Sequence, residues 1–288
     1  MFKNIPIIPL FSIIEKRKIY LLLKDEYRDL LLQHGIEDLE IFIKKHAQTT
    51  HYLMGRSPHP SIPIKDGERM IVRRYSHGGL FGLITQNLYL FGSRSFRELT
   101  LTEEIRSCGI PTIEPIGAIH QLIQFPFYRP YLLSLEVPRA LNLIQYLEKI
   151  GPHPSPATLS QKRNIIRSAG ILLRQFHEFG FFHGDLQLKN ILLSGEKLLL
   201  IDFDRSYRKP SLSMREKMKN LLRLNRSAEK WRHLGLPITR ADRWRFFLSY
   251  AGDDAKIRGA MQKVFRTYMI RHLFYRLGWA VEKKVRSY

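Results

Sequence analysis

The chain has 288 residues (34.0 kDa), 44% hydrophobic and 25% charged, which excludes wholesale disorder and leaves enough material for two lobes with sizeable cores. A single cysteine, Cys108, excludes an intrachain disulfide framework and any multi-cysteine metal site. The net charge of +21 is uneven: residues 205–288 hold 22 Lys and Arg against six Asp and Glu, a surplus that attracts a polyanion.

The opening Asn4–Ile14, NIPIIPLFSII, is apolar but interrupted by two prolines and followed by Glu15-Lys16-Arg17-Lys18, so it reads as retained packing or interfacial sequence. Residues 15–48 read as helical, with Leu30, Leu31, Ile41 and Phe42 among charged positions and a break near Gly35. From His51 the chain changes to short apolar runs split by Pro and Gly, the pattern of strands and turns. Lys65-Asp66-Gly67-Glu68 is a hairpin-turn candidate leading into a strand over Arg69–Tyr75. Ser93–Cys108 predicts a helix, with Ser95 and Glu98 at capping-box spacing and Gly109 then Pro111 closing it. Short strands follow near 115–120 and 131–137, Gly151–Pro156 is a linker, and Thr158–Phe179 is a long helix with a wide apolar face. After a loop at His183–Asn190 come strands at Ile191–Leu193 and Leu198–Ile201, with helices beyond.

Phosphoryl transfer needs a divalent cation held against phosphates, an aligned acceptor hydroxyl, and positive charge over the developing negative charge. Asp185 is followed five positions later by Asn190, the spacing of a kinase catalytic loop, and Asp202 ends the apolar strand Leu198–Ile201. Asp185 is therefore read as base or hydroxyl orienter, Asn190 and Asp202 as Mg²⁺ ligands, and His183 as the brace of the loop. The competing reading is a turn whose Asp and Asn satisfy local backbone donors. The full set, placed after a long helix, favours chemistry.

These residues carry a resemblance. FHGDLQLKNILL with LIDFDR, VRRYSHGGLFG at 72–82, RSFRELTLTEEIRSCGIPTIEPIGAI at 94–119 and LNRSAEK at 224–230 together resemble the lipopolysaccharide kinase family, the Kdo and heptose kinases of the Gram-negative inner core, over roughly residues 50–235. The resemblance implies ATP and Mg²⁺ as cofactors and a sugar hydroxyl of a lipopolysaccharide precursor, Kdo-lipid A, as acceptor. It also implies a peripheral place on the cytoplasmic face of the inner membrane. Glu98 then matches the helix glutamate that pairs with a phosphate-binding cation, and Arg73 stands where general kinases carry lysine. Gly55-Arg56 stands in place of a glycine-rich phosphate loop, and Asp202-Phe203-Asp204 lacks the usual glycine.

The implied fold is α+β, two-lobed and protein kinase-like: an N-terminal helical extension (1–50), a strand-rich N-lobe with hinge (51–150), and a helical C-lobe with a basic tail (151–288), nucleotide lying between lobes. The basic surplus suits an anionic membrane surface and a phosphorylated acceptor. Nucleic acid has charge alone behind it, with no recognisable binding module. Alternatives are a heptose kinase of the same family, a pseudokinase that binds anionic lipid, and a small-molecule phosphotransferase of the aminoglycoside or choline type. The tail Tyr268–Trp279 reads equally as a packed or an interfacial helix.

Overall fold

A computed structural model describes residues 8–53, 58–65, 67–76, 88–151 and 153–264. Two compact units emerge, one built from residues up to Ser107 together with Ile113–Val137, the other from Cys108–Thr112 and the chain from Pro138 onward.

The first unit is an antiparallel sheet of eight strands, in order β1 (Phe11–Lys16), β2 (Ile19–Lys24), β7 (Pro115–Gln124), β8 (Phe127–Leu135), β5 (Arg69–Arg74), β4 (His59–Pro63) and β3 (His51–Leu53), with β6 (Tyr89–Leu90) also on β8. Side-chain alternation divides its core. On one face Leu21 and Leu23 pack with Met70, Val72 and Leu133 under helices α1 (Asp25–Gln33) and α2 (Leu39–Lys45), through Tyr27, Leu31 and Phe42. On the other, Leu22, Ala118 and Leu132 meet Phe96 and Leu99 of helix α3, Arg94–Ser107. Each fully buried Leu or Phe contributes roughly 1.5–3 kcal/mol.

Two sequence expectations need correction here. Residues 11–24 form a hairpin, not helix; β2 is apolar at consecutive positions because both its faces are covered, and β7, about a hundred residues on, supplies its partner in the sheet. Helix begins only at Asp25, and the break near Gly35 stands. The compact units divide after Val137, Gly151 lies inside the second, and residues 8–50 lie in the sheet unit. Ser95 does not cap α3: it is buried and its Oγ donates to the Ile119 carbonyl at 3.1 Å, while Ser93 Oγ accepts from Phe96 N–H. Gly109, at φ +74°, takes the left-handed step that ends α3.

In the second unit a short strand β9 (Leu141–Asn142) pairs with the hairpin β11 (Ile191–Ser194) and β12 (Lys197–Leu200), and β10 (Phe181–Phe182) pairs with β13 (Tyr207–Arg208). Helices α4 (Leu143–Glu148), α5 (Pro156–Glu178), α6 (Met214–His233) and α7 (Arg240–Ala251) surround them. Ser155 caps α5 through Thr158 N–H, Ser213 with Glu216 forms a capping box on α6, and Thr239 with Asp242 forms one on α7. A buried pair, Lys162 Nζ to Asp242 at 2.6 Å, ties α5 to the start of α7. Around Phe176, fully buried, stack Phe181 (5.5 Å) and Phe203 (6.0 Å), fixing the floor on which the loop after β10 rests.

Candidate active site

The loop from His183 to Asn190 leaves β10 and ends in a single 3₁₀ turn, Leu188–Asn190, that feeds β11. His183 is completely buried between Phe176 and Phe203. Its Nε2–H donates to the Ile201 carbonyl (3.0 Å) and its Nδ1 accepts the Asp185 N–H (3.1 Å), which fixes a neutral tautomer. Burial pushes its pKa down to about 4, consistent with that state. His183 thus joins the backbone at Asp185 to the segment carrying Asp202.

Asp185 is half-exposed, with its carboxylate facing Gln187 Nε2 (2.6 Å), Arg223 Nε (3.5 Å) and Lys189 Nζ (3.6 Å). Burial acts to raise its pKa, but the Gln187 hydrogen bond and the two cations outweigh it and hold the carboxyl below its ordinary value. The group is ionised at neutral pH. Asn190 is buried, and its amide NH₂ donates to the Asp185 carbonyl at 2.8 Å, so its Oδ1 is the end offered to a cation. The Asn190 carbonyl accepts Ile201 N–H (3.1 Å), which brings the residue before Asp202 against Asn190. Asp202 adopts φ +66°, an unusual conformation for a residue with a Cβ, just past the end of β12. An amide oxygen and a carboxylate are hard oxygen donors, the set that suits Mg²⁺. Among the described residues no cluster of three His, Cys, Asp or Glu offers a different metal site.

In the first unit, Val72 points into the core beneath α1 and α2, so its neighbour Arg73 points toward α3. There its guanidinium pairs with Glu98, which is buried and also accepts from Tyr75 OH at 2.5 Å. Burial and then Glu98 raise the Tyr75 pKa well above its usual value, keeping it a donor. Arg74 is exposed. Glu98 is thus the partner of Arg73 and not a capping residue. Gly55 and Arg56 lie outside the described residues, as do His77-Gly78-Gly79 and Tyr268–Trp279.

The sequence model of the lipopolysaccharide kinase (Kdo/WaaP) family matches residues 61–250, a span that holds Arg73, Glu98, His183, Asp185, Asn190 and Asp202. The chain belongs to that family. Among its relatives, a 3-deoxy-D-manno-octulosonic acid kinase of Pasteurella multocida (strain Pm70) is 32% identical over 199 residues, 66% of this chain and 78% of the relative. One of the same name from Vibrio vulnificus (strain CMCP6) is 35% identical over 166 residues, 56% of this chain and 65% of that one. A solved structure, WaaP in complex with acyl carrier protein, superposes with a TM-score of 0.54 at 16% identity, covering 86% of this chain and 99% of the other, and establishes the kinase-like fold.

As a lipopolysaccharide kinase, the chain departs from general kinases at Gly184, between His183 and Asp185. A Cβ there would lie 2.5 Å from the Asp204 carbonyl and 2.7 Å from the Arg205 carbonyl carbon, so only glycine lets the two loops touch. Sequence reasoning missed the residues that hold this kinase loop from behind. Helix α6 presents Asn220, Arg223 and Ser227 on one face. Asn220 bonds both the N–H (3.0 Å) and the carbonyl (2.9 Å) of His183, Arg223 bonds the Gly184 carbonyl, and Ser227 Oγ accepts Leu188 N–H (3.2 Å). Asn220 Oδ1 also accepts from His177 Nε2 (3.1 Å), whose Nδ1 faces Tyr250 OH at 2.7 Å. The spacing of three and four between these α6 residues was the available signal, visible only once their targets were known.

Proposed function

We propose that the protein transfers the γ-phosphoryl group of ATP to a hydroxyl of Kdo on a lipopolysaccharide precursor, Kdo-lipid A. The observation that carries this reading is the environment of Asp185: an ionised carboxylate beside Lys189 and Arg223, on a backbone anchored through a neutral His183. Asp185 accepts the hydrogen bond of the acceptor hydroxyl, orients its lone pair, and takes the proton as the bond to the γ-phosphorus forms and the bond from that phosphorus to the β,γ-bridging oxygen breaks, releasing ADP. Lys189 and Arg223 place positive charge beside that carboxylate and suit an acceptor bearing phosphates. Asn190 and Asp202 would hold Mg²⁺, which when bound neutralises phosphate charge. Arg73, kept in place by Glu98, would grip phosphate oxygens of ATP; its planar fork matches them bidentately where lysine would offer a single point charge. The names of the relatives support Kdo as the sugar, and heptose on the same inner core is the nearest alternative.

The domain arrangement we propose is a sheet unit that binds nucleotide and a helical unit that carries the catalytic loop. No described helix is long and apolar enough to cross a membrane. We place the enzyme peripherally on the cytoplasmic face of the inner membrane, held by the positive surplus of residues 205–288.

The test is transfer of labelled γ-phosphate from Mg·ATP to Kdo-bearing lipid A precursor, with Asp185→Ala in parallel. Label in the lipid with the wild type alone supports the reading. Label only on heptose-bearing acceptors moves the sugar. ATP binding without label on any acceptor points to a pseudokinase.

A further inference from the structure

Scattered exposed apolar residues are normal on a protein surface, whereas a contiguous group marks a contact site. Such a group sits at the end of the β7–β8 hairpin. Phe125 (59% exposed) and Phe127 (40%) come from the turn, and Leu90 (58%) and Phe91 (61%) from the adjoining end of β6. They are one patch: Leu90 is the cross-strand partner of Phe127, Phe91 N–H donates to the Pro126 carbonyl, and the rings of Phe91 and Phe125 meet edge-to-face at 6.3 Å. The patch is supported from beneath. Tyr89 and Tyr128 are buried, with ring centroids 6.1 Å apart, and His120 stacks on Tyr128 at 4.0 Å.

The two segments that carry the patch hold side-chain charge of one sign. Neither residues 88–97 nor residues 115–135 contain an Asp or Glu, and the same segments hold Arg94, Arg97 and Arg129. The Arg97 guanidinium lies beside Gly92, and that of Arg94 lies over the Tyr89 ring at 5.0 Å. Aromatic side chains on segments that carry arginines and no carboxylate match an interface of acyl chains beneath a layer of phosphates. A protein partner would present both signs of charge and draw on hydrogen-bonding side chains that this tip lacks.

We infer that Leu90, Phe91, Phe125 and Phe127 form a membrane-contact tip that enters the headgroup region of an anionic bilayer. The tip belongs to the sheet unit and is separate from the basic surplus of residues 205–288, so it adds a second, apolar point of attachment. Two weak signals acting together hold a protein at a membrane better than either alone. The inference leans on the reading above only in supposing a membrane-borne acceptor.

The full-length protein and the Phe91→Ser/Phe125→Ser variant are to be floated with vesicles of phosphatidylethanolamine and phosphatidylglycerol, and with phosphatidylcholine alone. The expected result is about tenfold or greater loss of binding to the anionic vesicles in the variant, as removal of one of two attachment signals should give. Binding to phosphatidylcholine is weak throughout, and Arg97→Gln reduces the preference for phosphatidylglycerol. Phe125→Trp retains binding. Activity separates the two readings: phosphorylation of a deacylated, soluble Kdo oligosaccharide stays at the wild-type rate in the variant, while that of vesicle-embedded acceptor falls. Unchanged vesicle binding in the double variant overturns the inference. So does a wild-type dimer that the double variant dissolves, which would assign the patch to self-association. Failure of the wild type on both acceptors removes the kinase reading and leaves the vesicle result to decide the tip.

Discussion

The phosphate-grip candidate in the sheet unit and the candidate catalytic loop in the helical unit are held in place in opposite ways. Arg73 and Glu98 orient one another, with Tyr75 as a third member. The catalytic loop is held from outside itself: α6 supplies Asn220, Arg223 and Ser227, and α5 supplies His177 behind Asn220. A cation that must meet flexible phosphates needs charge and reach. A base that must meet one hydroxyl needs a fixed backbone, and here that backbone is bonded at nearly every turn.

Breaking each region should separate the two designs. The largest effect belongs to Asp185→Ala, which lowers kcat by about 10³-fold or more, the usual worth of a positioned base, with ATP affinity retained. A radiometric transfer assay beside nucleotide titration checks both halves, and retained turnover would remove Asp185 from its role. Next comes Asn220→Ala. It strands the N–H and carbonyl of His183 and the Nε2–H of His177 in a buried place, at about 1 kcal/mol or more for each group. Urea unfolding should show a loss of about 3 kcal/mol, and kcat should fall with it.

Arg73→Ala should raise KM for ATP about tenfold, as loss of a charge-assisted contact of about 1.4 kcal/mol would give, with smaller change in kcat. Arg73→Lys should recover part of it, because charge and not a fixed backbone is what that region supplies. Equal loss of kcat in both variants would contradict the contrast drawn between the two regions.

Acid should act on the second unit's brace. Burial holds His177 and His183 at about 4, below the ordinary histidine value of about 6.5. Between those values the unfolded chain binds protons that the folded chain refuses, so stability is full above about pH 6.5 and falls as pH drops toward 4, by up to about 1.4 kcal/mol per pH unit for each histidine. Calorimetry from pH 7.5 to 5 should show Tm falling, and His177→Gln should flatten the slope. The smallest effect is that of Arg223→Gln. Asp185 loses one of the cations that lower its pKa, so the acid limb of kcat moves to higher pH. The rate at pH 7.5 stays within about fivefold, since a partly exposed pair contributes about 1 kcal/mol or less.

What the sequence disclosed follows from how far apart the interacting residues stand. The loop His183–Asn190 and the strand ending before Asp202 are a local pattern, with a hairpin between them, and could be read directly. Glu98 was readable only with two roles open, since its spacing from Ser95 imitates a capping box; Ser95 proved to be buried against β7. The α6 brace lies 37 and 39 residues from its targets and consists of an Asn, an Arg and a Ser on an otherwise ordinary basic helix. The β1–β2 hairpin was hidden for two reasons. Its turn uses Arg17 at φ +54° without the glycine or asparagine that usually marks one, and β2 is apolar at Leu21, Leu22 and Leu23 in succession. Only the later strand β7 distinguishes that run from a buried helix.

Gly184 bears on the mutational history open to this chain. Any replacement, alanine included, pushes against main-chain atoms of Asp204 and Arg205 that no side-chain rotation can move aside. The arginine that general kinases carry at this point would therefore need room made in the segment that follows Asp202. The glycine is set by main chain twenty positions away, and a change at either place has to be matched at the other.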